Sequence, residues 1–309
     1  MSDLLNVQEK LQDTMAALQQ ARKILAENPA DNEFSLVLKS LEHRQSTLEY
    51  AFASEANAIG MDVCKYKLVR GGNVFPATAF ADSIKSWQTC ITVFFDALVN
   101  GPKKSSRTSA EIVQQTTLDV GYIFPGSLGV AFTIPNERML VDSFLDDAVK
   151  TIFATLRVIS PAELLEFSRK LGPAPIRKLH DWAVSNYQFG MAIDIEWMRD
   201  KERRLATMFQ AEEAARLIKI IEDTKPEETE PVDVEGMLVG GDLKKRNFHL
   251  VVPESPDIEG YLADNFIPPM EADLVLNKRY RASLIRHIIV NLATESENER
   301  WELLSLVPA

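Results

Sequence analysis

Asp194 and Glu196 are the nearest approach to a catalytic carboxylate pair in the chain. Two residues apart on a strand, they project from the same face and could hold a divalent ion. With Arg199 or Lys201 downstream, they outline a metal-dependent nuclease centre. Such a centre needs a further acid and a lysine from neighbouring strands, and the nearby hairpin offers only Asp119. The competing reading makes both carboxylates the solvent face of an alternating strand, which is where acidic side chains usually lie.

Other chemistry is thinner still. Pro125-Gly126-Ser127-Leu128-Gly129 fails the nucleophile-elbow pattern because Pro stands at the first glycine position. It also joins two strands, whereas the elbow joins a strand to a helix, so Ser127 reads as a turn residue. His43, His180, His249 and His287 have no metal-ligand spacing. Gly71-Gly72 and Gly240-Gly241 open neither phosphate-binding glycine motif. The first pair reads as the end of a strand, the second as a bend or bulge. Cys64 and Cys90 sit among apolar neighbours with neither a CxxC nor a zinc spacing, and read as buried free thiols. These patterns assign no catalytic, cofactor or metal site.

Basic residues are the more informative set. Of the eight in 231–309, seven fall in two groups: Lys244-Lys245-Arg246, and Lys278-Arg279 with Arg281 and Arg286. The first group falls on an expected hairpin tip and the second opens a strand. Small barrels that bind nucleic acid present basic loops with exposed aromatics, and Phe248, Tyr261 and Tyr280 lie close by. A basic hairpin tip is also an ordinary solvated turn, and this segment as a whole carries −5. Pro102 to Arg107 adds a third basic stretch, of the composition of a solvated connection.

The elements that must carry these residues begin with two helices in residues 1–60. Leu4, Leu11, Leu18 and Leu25 recur every seven residues, with Val7 and Ala21 between them. Asn28-Pro29 breaks the pattern, Asp31 or Asn32 caps the next helix, and Gly60 ends it. An antiparallel helical hairpin, or coiled coil, follows. It either covers the middle domain or meets another copy or a partner.

Residues 61–224 mix both periods. Cys64, Tyr66 and Leu68 alternate with Lys65 and Lys67, predicting a strand with one wet face. A strongly apolar helix over 78–99 leads to a hairpin of Leu118 to Phe124 and Leu128 to Ile134. Helices follow over 138–157, from Ser160-Pro161-Ala162-Glu163 onward, and over 175–187. Phe144 and Tyr187 are expected inward. A strand over 191–198 comes next, and Thr207 to Gln210 reads as a capping box opening a helix to 223. Four half-polar strands predict an α+β domain, its mostly antiparallel sheet covered on one side by helices.

Lys225 to Pro231 reads as a charged linker bracketed by prolines. Residues 232–309 then hold five short strands and a helical turn near 270–276, predicting a small β-barrel of SH3-like or OB-like type.

Composition bounds the rest. Hydrophobic residues make up 46% of the 309 and charged residues 26%, enough for a real core. No apolar stretch approaches the roughly 18 residues of a membrane span, and the acidic start MSDLLNVQEK is no secretory signal. The expected location is cytoplasmic. A net charge of −11 argues against a general nucleic-acid coat. No stretch carries a motif specific enough to bring residue roles over from a known protein. The leading expectation is a non-enzymatic assembly or adaptor protein, binding itself or a protein partner through the hairpin and the barrel. The alternatives are a nucleic-acid-binding component using Lys244, Lys245, Arg246, Lys278, Arg279 and Arg281, and a metal-dependent enzyme using Asp194 and Glu196.

Overall fold

The computed structural model describes residues 2–29, 31–69, 76–124, 128–136, 142–199, 202–267, 275–294 and 296–309. The fold is α+β, and the chain divides into two compact units, Met1–Asp223 and Thr224–Ala309.

Helices α1 (Ser2–Glu27) and α2 (Asn32–Ala58) form the hairpin. Asp31 starts the second helix: its carboxylate accepts hydrogen bonds from the Glu33 and Phe34 amides at 3.0 and 3.1 Å. Gly60, at φ 78°, ends it in the left-handed region that glycine adopts without strain. Leu11, Leu18 and Ala21 are buried as the heptad pattern requires, together with Met15, which that pattern does not mark.

The sheet begins with β1 (Met61–Val69) and is followed by α3 (Ala77–Asn100) and α4 (Ala110–Thr116). Next come β2 (Asp119–Phe124), β3 (Leu128–Pro135), α5 (Phe144–Leu156), α6 (Pro161–Leu171) and α7 (Pro173–Gln188). Strands β4 (Ala192–Arg199) and β5 (Glu202–Phe209), then α8 (Ala211–Asp223), complete the unit. The strand order is β2-β3-β1-β4-β5, antiparallel throughout.

Four local expectations need correction. Thr207 opens no helix: it pairs with Ile195 inside β5, because β4 offers it a ladder partner that outweighs local capping. The cap of α8 comes instead from Glu213, which accepts from the Gln210 amide at 2.8 Å. Phe144 is exposed because it sits at the first position of α5, outside the buried stripe of Leu145, Ala148, Val149, Ile152 and Leu156. Tyr187 is exposed near the end of α7. Lys103 is no solvated connection: its amide donates to the Leu171 carbonyl at 2.8 Å and its ammonium meets Asp96 at 2.9 Å. Leu140, the turn at Ser127 and Gly71-Gly72 lie outside the described residues.

Both faces of the sheet are buried, which the expectation of one wet face did not allow for. Residues paired across an antiparallel ladder share a face. Tyr66 pairs with Val130 and Ile195, and on their face Trp87 of α3 and Trp182 of α7 pack at ring distances of 5.8 and 5.4 Å along Tyr66–Trp87–Trp182. Tyr122 pairs with Ala131, one residue out of phase, after a register shift between Val120 and Tyr122. Tyr122 and Phe124 therefore point to the opposite face, where Leu11, Met15, Phe52, Ala53 and Ala56 of the hairpin cover them with Val63 and Met198. Phe52 meets Tyr122 edge-on, ring centroids 5.0 Å apart.

The second unit holds β6 (Glu227–Asp242), β7 (Asn247–Val251), β8 (Ile258–Ile267), β9 (Lys278–Val290) and β10 (Glu297–Pro308). They hydrogen-bond in a closed ring, β10-β8-β7-β6-β9 and back to β10. All pairs are antiparallel except β8 with β10. Leu238, Leu250, Ala282, Leu284 and Leu303 are among the core residues. The expected linker is strand from Glu227 onward, paired with Ile289 to Ile285 of β9. Pro231 is tolerated there because β6 meets β7 only from Met237 on, so at Pro231 it is bonded along one side. Gly240 follows a register shift after Leu238, the bulge its sequence implied. Gly260 lies opposite Trp301 in the parallel pair, and a Cβ there would overlap the Trp301 carbonyl. The expected helical turn near 270–276 falls mostly outside the described residues.

Phe52→Ala removes the ring that joins hairpin to sheet, and is expected to cost about 3–5 kcal/mol, read as a lowered urea midpoint.

Candidate functional site

The register of β1 with β4 sets Glu196 opposite Lys65 and Asp194 opposite Lys67. These side chains face the hairpin, so the carboxylate pair is not the solvent face of its strand. Lys65 hydrogen-bonds Glu49 of α2 and lies 3.6 Å from Glu196. All three side chains are largely buried, at 8, 13 and 14% exposure, so the triad holds the hairpin to the sheet electrostatically. Asp119 lies on β2, three strands from β4. Arg199 is engaged by Asp146 at 2.9 Å, and Lys201 lies outside the described residues. Among the described residues no group of three or more His, Cys, Asp or Glu could hold a metal ion.

The two thiols are buried, and three of the four histidines have acidic neighbours. Burial pushes the Cys64 thiol up to about 12, against a smaller lowering by the Trp87 indole, and raises Cys90 as well, so neither supplies a thiolate at neutral pH. His180 faces Glu222 at 3.6 Å, and His249 lies between Asp257 and Glu259 at 3.0 and 3.5 Å.

One end of the ring collects what remains. At the β6–β7 turn the Asp242 carboxylate accepts from the Lys244 and Lys245 amides at 2.8 and 3.0 Å. That local bond folds the tip and leaves both ammonium groups outward. Arg246, at φ 54°, turns back: its guanidinium donates to the Leu262 and Ala263 carbonyls and meets Asp264 at 3.1 Å. On the neighbouring strand, the Asn277 amide donates to the Leu238 carbonyl at 2.7 Å and starts β9, with Lys278 opposite Leu238 and Arg279 opposite Met237. Arg281 pairs with Glu235 at 2.9 Å, and Arg286 with Glu230 and Glu299.

The six candidate cations therefore divide. Arg246 and Arg281 are neutralised in place. Lys244, Lys245, Lys278 and Arg279 form no ion pair among the described residues, and all four are exposed. The expected aromatics divide too. Phe248 and Tyr280 fill the ring core, and Tyr261 alone is exposed.

Between the two basic segments opens an apolar pocket of about 210 Å³, lined chiefly by Leu238, Leu243, Phe248, Leu262, Phe266 and Leu276. Leu243 is 64% exposed and Leu276 48%, so its rim is an uncovered apolar surface. Sequence reading missed it. The signal was present: Leu243 is an apolar residue in the middle of a hairpin tip, where solvation favours polar side chains.

His287 sits away from this pocket, on the outside of β9. Its Nδ1 is 2.6 Å from Glu227 of β6, and its Nε2 is 3.0 Å from Glu302 of β10 and 3.2 Å from the Tyr261 hydroxyl of β8. Burial alone would lower its pKa, but the hydrogen bonds it donates to Glu227 and Glu302 outweigh it and raise the pKa above the ordinary value. Protonated His287 thus clips β9 to three other strands of the ring.

Comparison with family models, with curated proteins and with solved structures finds no match to this chain.

Lys65→Met is expected to cost about 3 kcal/mol in urea unfolding, because Glu49 and Glu196 stay buried without their cation. The raised pKa of His287 sets the sign of a pH effect. Its contribution is complete below the ordinary histidine pKa and is lost as pH rises through the raised folded value. Melting temperature should fall across that window, and His287→Gln should flatten the fall.

Proposed function

We propose that this chain is a non-enzymatic adaptor that takes an anionic partner at the basic end of its C-terminal ring. The observation that carries the reading is the set of Lys244, Lys245, Lys278 and Arg279, exposed, without an ion pair among the described residues, and placed round an apolar mouth. Elsewhere in the same unit Arg281 is neutralised by Glu235 and Arg286 by Glu230 and Glu299. Cations left without partners in an acidic module attract an opposite charge from outside.

The strand order supports a binding module. Three strands meander, the third runs parallel to the fifth, and the fourth closes the ring onto the first. We read this as OB-like in preference to SH3-like, on the parallel pair; such rings bind extended polymers. The hairpin supplies the second surface of the adaptor. Its Leu4 to Met15 and Leu48 to Ala56 segments are spent on the sheet, whereas Leu36 and Val37 stand exposed farther along α2 and are available to a partner or another copy. Buried free Cys64 and Cys90 favour a reducing, cytoplasmic setting.

The test is a tagged pull-down from the native host with and without nuclease, comparing wild type with a Lys244→Ala, Lys245→Ala, Lys278→Ala, Arg279→Ala variant. The expected result is a partner released by salt and lost in the variant. Capture unchanged by both salt and substitution would overturn the proposal.

A further inference from the structure

We propose that the anionic partner is a single-stranded nucleic acid, one base entering the apolar pocket while its phosphates lie on Lys244, Lys245, Lys278 and Arg279. This rests on reading that end of the ring as an anion-binding site. It adds the chemical class of the ligand.

Size comes first. At about 210 Å³ the pocket is smaller than the roughly 300 Å³ at which sites for drug-sized ligands begin. It has room for one flat ring and not for a whole cofactor. Phe248 and Phe266 stand in a wall otherwise built mainly of leucines, a surface that suits a π-face. Asp242 also lines the pocket, but one of its oxygens is already occupied by the Lys244 and Lys245 amides. Asn247 is in the wall as well, and its side chain makes no hydrogen bond among the described residues. Its amide can donate and accept, as the edge of a base requires.

Placement comes second. Leu243 of the wall is followed directly by Lys244 and Lys245, and Leu276 is followed at two residues by Lys278. Cations therefore stand on both sides of one apolar mouth. A nucleotide strand alternates charge and flat ring in the same way. An acidic peptide brings carboxylates without a ring at each repeat, and a duplex brings phosphates with its bases already paired. Charge comes third. Glu227, Glu230, Glu235, Glu299 and Glu302 outnumber Arg281, Arg286 and His287, the bases that pair with them, so this cluster does not attract a polyanion as the four exposed cations do.

The experiment is fluorescence anisotropy on the full chain with four probes: a short labelled DNA single strand, its duplex, an abasic strand of equal length, and polyglutamate. The intact strand should bind, with the abasic strand and the duplex about tenfold weaker or more. Four phosphate contacts give a slope of about −3 for log affinity against log salt, and Lys244→Ala with Lys245→Ala should reduce it by about 1.4. Leu243→Gln with Leu276→Gln, at exposed positions, should bring the intact strand down to the abasic level and leave abasic binding unchanged. Equal binding of intact and abasic strands, or no effect of the leucine variant, would overturn the base in the pocket and leave the anion site standing. Polyglutamate binding more tightly than the strand would reassign the site to an acidic polypeptide. Failure of every polyanion to bind would overturn this proposal and the anion site together.

Discussion

The first unit depends on a sheet that has to be covered twice. Antiparallel pairing puts Tyr122 beside Ala131 and Val130 beside Tyr66, so large apolar groups emerge on both sides of the same five strands. A free face carrying Tyr122, Phe124 and Val63 would be an apolar patch of the kind soluble proteins rarely leave open. The hairpin closes it, and its position requires Lys65 to leave water. That is tolerable because Glu49 comes from the cover and Glu196 from the sheet, so one cation is shared between two carboxylates. A residue pair that could pass for metal ligands in one dimension is thereby committed to joining two layers.

The second unit meets a different constraint. Five strands of an acidic segment close on themselves, and closure brings carboxylates from β6 and β10 against β9. The bases on β9 answer them one by one: Arg281 to Glu235, Arg286 to Glu230 and Glu299, His287 to Glu227 and Glu302. Gly260 lets the parallel pair approach closely enough to complete the circuit. What this pairing does not consume is left at the end where β6 turns into β7 and β9 begins. The separation of charge within the ring is therefore a by-product of how it closes, and it supplies the site.

Local physics made much of this legible in the sequence. Heptad leucines, the proline break and Asp31 define the hairpin, because helix periodicity and capping act over a few residues. Alternation marks β1, β4 and the strands of the ring, and the Gly240 bulge follows from glycine in a strand. The two basic segments were also plain, since charge needs no partner to be seen. What was hidden came from pairing. Strand β5 follows a free edge of β4. Strand β6 reaches back into residues whose prolines and glutamates resemble a linker. The second buried face of the sheet depends on a one-residue phase difference between β2 and β3, which alternation within either strand cannot reveal.

By itself, then, the sequence determined the kind and order of most elements, α4 and β5 excepted, and the groups with unusual charge. Each of these is set by residues within a turn or two of one another. The tertiary structure decided which groups remain available. It buried Lys65 and Glu196, turned Arg246 back onto β8, matched Arg281 to Glu235, and gathered Leu243 and Leu276 into one pocket beside four exposed cations. Those outcomes depend on which strands become neighbours, and neighbours distant in the chain leave no periodic trace in it.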